Sequence, residues 1–159
     1  MLVALSTIGP TTYKEIEYYW APRGQEPQTY RTALFPLAVD ALFRPEKLLL
    51  MVTPEARTHE NRCYIERVLG QRLQLVPIPL GRTEEELWQI FDIVSDAVPE
   101  GAEVILHVTH AFRSLPFVIF GVINYLRRTK EIRLERIVYG HTRRKRPDRT
   151  ECSVRLFLI

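Results

Sequence analysis

One stretch limits the possible folds more than any other: residues 103–128, EVILHVTHAFRSLPFVIFGVINYLRR. Its first part, Glu103–Thr109, is an apolar run with β-branched residues, the pattern of a strand covered on both faces as in a parallel sheet. Ser114 is placed to cap the free N–H groups of a following helix, and Pro116 presets φ near its first turn. Between strand and helix lies a polar elbow, His110–Ser114. It presents a histidine, an arginine, a serine and free backbone donors at the carboxyl end of a strand. In open α/β sheets that is where ligands bind, and a helix N-terminus there favours an anion.

The rest of the chain repeats the alternation. Met1–Ile8 reads as a first strand that Gly9-Pro10 ends. Tyr13–Trp20 alternates and is rich in aromatics, and with Thr29-Tyr30 beyond a turn at Arg23-Gly24 it reads as an inserted hairpin. Thr32–Phe43 has helical spacing and stops before Pro45. Lys47–Val52 is a second buried strand. Thr58–Leu69 is a helix with Cys63, Ile65, Val68 and Leu69 on one face and Gly70 as its stop. Arg72–Ile78 is a third strand, and Thr83 with Glu86 forms a capping box for a helix reaching about Ala97. After residue 128 come a strand at Leu134–Tyr139, a basic connector, and a last strand at Ser153–Leu158. That connector is too short for a crossover helix, so the two final strands pair antiparallel. The expected fold is therefore α/β, a Rossmann-like, mostly parallel sheet with helices on both faces and a C-terminal antiparallel hairpin.

Length and composition set the outer limits. The 159 residues fit one domain spanning 1–159, and 46% hydrophobic with 26% charged residues is a globular composition. No apolar run is long enough to cross a bilayer, and the N-terminus lacks the features of a signal peptide. Cys63 and Cys152 lie far apart with no metal-type spacing, which suits a reduced, cytoplasmic setting. Net charge is +3, but residues 142–149, TRRKRPDR, hold five basic residues and one acid, while the remainder has 17 basic against 18 acidic. The segment is either a solvated hairpin tip or an electrostatic guide for phosphates.

In such a sheet the first and fourth strands are neighbours at the point where the strand order reverses. Thr7, Gly9, Thr11 and Thr12 would then face His110–Ser114. Glycine permits close backbone approach, hydroxyls and helix N–H groups bind phosphate, and Arg113 can grip it with two parallel bonds. There is no Gly-rich dinucleotide fingerprint and no Walker lysine, so no cofactor is expected. The helix after the elbow, Leu115–Leu126, is apolar almost all round, which calls for a second covering partner. A symmetric homodimer supplies one, unless the helix is buried within the monomer.

The block HVTHAFRSLPF resembles the Asp-x-Thr-His-Gly-Phe-Arg-Ser-Leu-Pro signature of CARF domains, the CRISPR-associated Rossmann-fold sensors. LSTIGPTTYKEIEYYW is similar to their N-terminal stretch, and YRTALFPLAVDALFRPEKLLLMVTPEA and RIVYG fit the same pattern. Most of the chain is covered. His107 stands where the family often has an acid, and Ala111 where it usually has glycine. The resemblance implies a homodimer that binds cyclic oligoadenylate, the second messenger of type III CRISPR systems, with cyclic tetra-adenylate the commonest ligand. On matching positions it implies ligand contacts from Thr7, Gly9, His110, Phe112, Arg113 and Ser114. Neither membrane nor DNA is an expected partner.

Two roles share that pocket. One is pure sensing. The other is ring cleavage without metal, in which the ribose 2′-hydroxyl attacks its neighbouring phosphate to leave a 2′,3′-cyclic phosphate. Arg113 and elbow N–H groups would stabilise the charge, His110 would act as general acid, and Thr11 or Thr12 would orient the attacking hydroxyl. His110 can equally be a plain ligand contact. Arg136-x4-His141 has the spacing of a HEPN nuclease site, but that motif belongs on a helix and here falls in a strand. His107 and His110 lack nearby carboxylates, so no metal site is expected. Outside the family, the alternative is a basic α/β RNA-binding protein using Arg143–Arg149.

Overall fold

The computed structural model describes residues 1–21, 24, 26–109, 115–146 and 149–157, those from 141 onward by backbone alone. Its strands are β1 (Leu2–Thr7), β2 (Ile16–Trp20), β3 (Gln28–Thr32), β4 (Lys47–Val52), β5 (Leu73–Pro77), β6 (Glu103–His107), β7 (Arg133–Arg146) and β8 (Arg149–Phe157). The helices are α1 (Phe35–Phe43), α2 (Pro54–Thr58), α3 (Glu60–Leu69), α4 (Glu84–Ala97) and α5 (Leu115–Thr129). The sheet order is β3-β2-β8-β7-β6-β1-β4-β5. From β5 to β7 all pairings are parallel, whereas β7 and β8 pair antiparallel, as the sequence predicts.

The central strands are apolar on both faces because helices cover both. Ala4, Leu48, Leu50, Val52 and Ile105 point to one side, where α1 adds Phe35, Ala38 and Val39 and α3 adds Ile65 and Leu69. Val3, Leu5, Leu49, Met51, Val104 and Leu106 point to the other. There α4 contributes Ile90 and Val94, and α5 contributes Ile119, Val122, Ile123 and Leu126. Strand side chains alternate between faces, so one short strand serves two separate cores.

Local chemistry fixes the helix starts. The Thr83 hydroxyl accepts the Glu86 N–H at 3.2 Å, and the Glu86 carboxylate reaches back to the N–H of Arg82 at 2.7 Å. The return arm of this capping box thus lands one residue further out than in the usual motif. The helix expected at Thr58–Leu69 begins twice. Thr53 caps α2, whose Pro54 takes the first position, and His59 Nδ1 then accepts the Asn61 N–H at 3.3 Å to start α3. The buried stripe of α3 is consequently Asn61, Ile65 and Leu69, while Cys63 and Val68 face outward, contrary to the sequence expectation.

Two further differences concern the far edge. Most of the basic segment is strand: β7 runs to Arg146 and β8 starts at Arg149, with Arg143 in register with Glu151 and Arg144 with Thr150. An antiparallel ladder needs only a two-residue connection, so pairing extends as far as the strands can reach. The inserted hairpin also has a role that periodicity did not reveal. Its β2 lies parallel to β8, with Tyr18 in register with Cys152, and so satisfies an edge that would otherwise expose a row of unpaired backbone groups. Arg136, on β7, lies 5.9 Å from the Trp20 ring centre and 5.7 Å from that of Phe43, clamped between β2 and α1. Arg136 and His141 both sit in a strand, as expected.

Candidate functional site

β1 is hydrogen-bonded to β4 on one side and to β6 on the other, so the strand order reverses between β1 and β6. The loops leaving these two strands emerge side by side at the carboxyl edge. This is the position at which open α/β sheets bind ligands.

Beneath the loops the strands are tied together by a buried polar pair. Ser6 Oγ and His107 Nδ1 share a hydrogen bond of 2.5 Å, and both residues are essentially inaccessible. Phe35, at the start of α1, packs on the imidazole with ring centres 4.4 Å apart. A buried polar group is costly unless it is partnered, so this pair fixes the relative position of the β1 and β6 ends. Past the strand end, Val108 N–H donates to Val138 O at 3.2 Å, and Gly140 N–H donates to the Thr109 hydroxyl at 2.8 Å. The approach to the elbow is thereby anchored to β7 up to Thr109.

The first loop is equally constrained. Gly9 N–H donates to Tyr13 Oη at 3.0 Å. A Cβ at Gly9 would lie only 2.8 Å from that oxygen, so the glycine makes room for the tyrosine hydroxyl. The side-chain amide of Asn61 donates to Gly9 O at 3.3 Å and to Thr11 O at 2.8 Å. Thr7 is almost wholly buried, and its hydroxyl has no hydrogen-bond partner among the described residues. Thr11 and Thr12 are exposed on the loop crest. Of the residues singled out from sequence, Thr7, Gly9, Thr11 and Thr12 therefore converge at the β1 exit. His110, Phe112, Arg113 and Ser114 lie outside the described residues.

Sequence reasoning passed over Asn61 and Tyr13. The available signal was a polar residue on the stripe that Ile65 and Leu69 continue. An amide buried at such a position must find partners, and here they are two carbonyls of a functional loop.

The helix following the elbow keeps an apolar outer face. Leu115, Ile119, Val122, Ile123 and Leu126 are buried, but Phe117 is 81% exposed and Phe120 and Tyr125 are also open. Phe91 of α4 packs on Tyr125 at 5.2 Å and on Trp88 at 5.8 Å, extending this face into an aromatic surface across α4 and α5. Among the described residues no helix is long and apolar enough to cross a membrane, and no group of three or more His, Cys, Asp or Glu could hold a metal ion.

No protein-family model matches the chain. Over 131 residues it is 27% identical to the CRISPR-associated protein MJ1674 of Methanocaldococcus jannaschii. The match covers 78% of this chain but 19% of that protein, so the chain spans about a fifth of the curated relative's length. The chain is thus similar, over most of its own length, to part of a CRISPR-associated protein.

Proposed function

We propose that residues 1–159 form one CARF-like domain that works in the cytoplasm as a homodimer and binds a cyclic oligoadenylate, foremost cyclic tetra-adenylate. The observation that carries this reading is the adjacency of β1 and β6, whose loops hold the two blocks resembling CARF domains. Similarity to a CRISPR-associated protein supports it, as does the open aromatic face of α5, which suits a two-fold interface. A ring lying across that axis would meet the same loops from both subunits. Its phosphates would be held by Arg113, Ser114 and the first loop.

On the same reading, the residues assigned to the pocket would supply metal-independent turnover. The 2′-oxygen bonds to the adjacent phosphorus and loses its proton to solvent, the bond from phosphorus to the 5′-oxygen breaks, and that oxygen takes a proton from His110. The protein's contribution is in-line geometry and charge stabilisation by Arg113. Incubation with cyclic tetra-adenylate in the presence of a chelator, followed by chromatography, tests both roles. Bound but intact ring identifies a sensor, and linear products ending in 2′,3′-cyclic phosphate identify a ring nuclease. Arg113→Ala should weaken binding strongly, and His110→Ala should reduce cleavage more than binding. Failure to bind any ring size rejects the proposal.

A further inference from the structure

A second concave surface opens beside the first loop, on the α1 and α3 side of the sheet. It encloses about 510 Å³, within the range of small-ligand sites. The loop after β1 supplies Thr12 and Tyr13, β3 supplies Tyr30 and Arg31, and α3 supplies Tyr64 and Arg67. Leu34 and Leu37 form an apolar floor. One wall therefore belongs to the inserted hairpin, whose Arg31 is held by Glu15 at 3.1 Å. Tyr64 is half exposed, so its ring is open to a ligand.

The chemistry of this lining is specific in kind. The half-exposed Tyr64 ring and two guanidinium planes offer stacking surfaces, the means by which proteins hold unpaired bases, with Tyr13 and Tyr30 adding aromatic edge to the walls. Two arginines face two glutamates, Glu15 and Glu60, so the cleft has no net charge to select a phosphate. It suits a neutral planar ring whose phosphate lies outside, toward the first loop. Asn61 lines the cleft and also holds the Gly9 and Thr11 carbonyls, so one side chain joins the cleft to the first loop.

We propose that this cleft binds a purine base, stacked against Tyr64, and that it communicates with the β1 loop through Asn61 and Tyr13. That the base is adenine rests on the functional reading above; the preference for a neutral planar base does not. The test is amide-resolved NMR titration of the isotopically labelled protein with adenosine 5′-monophosphate and, separately, with cyclic tetra-adenylate. Both should shift the amides of Arg31, Tyr64 and Arg67. Tyr64→Ala should weaken monophosphate binding about tenfold, and Tyr64→Phe should bind as the parent. If the cyclic ligand binds and neither it nor the monophosphate moves these amides, the cleft proposal fails and the ring reading stands. If the monophosphate moves them but no ring binds, the ring reading fails and the cleft stands. Absence of both responses, or equal affinity of Tyr64→Ala and parent, overturns the cleft.

Discussion

Replacing Gly9 by alanine tests whether the first loop is built as described. Gly9 is not among the glycines with positive φ, so alanine is not strained there by its backbone. The cost comes from the new Cβ, 2.8 Å from Tyr13 Oη, where ordinary contact begins at 3.4 Å. The hydroxyl must retreat by about 0.6 Å, which stretches its 3.0 Å bond from the Gly9 N–H beyond useful length. Losing that bond costs about 1 kcal/mol, or a melting temperature lower by about 3 °C for a chain of this size. Tyr13→Phe should lose the same bond and cost about the same. The double variant should then lose about 1 kcal/mol rather than about 2, because phenylalanine removes the atom that the Cβ meets. Urea melts of the four proteins give the cycle directly. An additive double variant would mean that the two residues act independently, and the loop description would be refuted.

Three further outcomes follow from other contacts. Asn61→Ala removes both bonds to the loop carbonyls at a nearly buried site and should cost about 2 kcal/mol in a urea melt, with proteolysis appearing first at residues 9–12. Phe117→Glu changes a side chain that is 81% exposed, so it should leave the packing within each chain intact while converting the proposed dimer to monomer in sedimentation, with a fall in melting temperature no larger than the linkage lost with the dimer. A parent protein that sediments as monomer contradicts the interface. Its own backbone N–H, and then the Thr83 hydroxyl, hold the exposed Glu85 carboxyl below its ordinary pKa. That stabilisation is present above the unfolded carboxylate's pKa and is lost as pH falls through the folded one. Thr83→Ala should therefore lower stability more at neutral pH than in acid, where only the uncharged cap to the Glu86 N–H remains, a difference read from urea melts at the two pH values.

The alternation of strands and helices, both helix layers and the terminal hairpin were legible because apolar runs, caps and short connectors are local signals. β4 matches its predicted bounds, and the Thr83 cap is where the sequence puts it. Longer-range partnerships were not legible. Nothing in the period of Ile16–Trp20 indicates that β2 will lie beside β8, because that choice depends on which edge needs covering. The strand arms of residues 142–149 were hidden by their charge, since arginine-rich sequence reads as a loop until an opposing strand supplies the ladder. At the site, residue types marked Thr7, Gly9, Thr11 and Thr12. The contacts that fix Gly9 and Thr11, from Tyr13 and from Asn61 52 positions beyond Gly9, needed three dimensions to be seen.

The most direct test of the central claim is the stoichiometry of cyclic tetra-adenylate binding, measured by isothermal titration with a chelator present. The composite pocket predicts saturation at one ring for every two chains, with binding strongly weakened by Arg113→Ala and by Phe117→Glu. Saturation at one ring per chain, or no heat with either cyclic tetra- or hexa-adenylate, contradicts it.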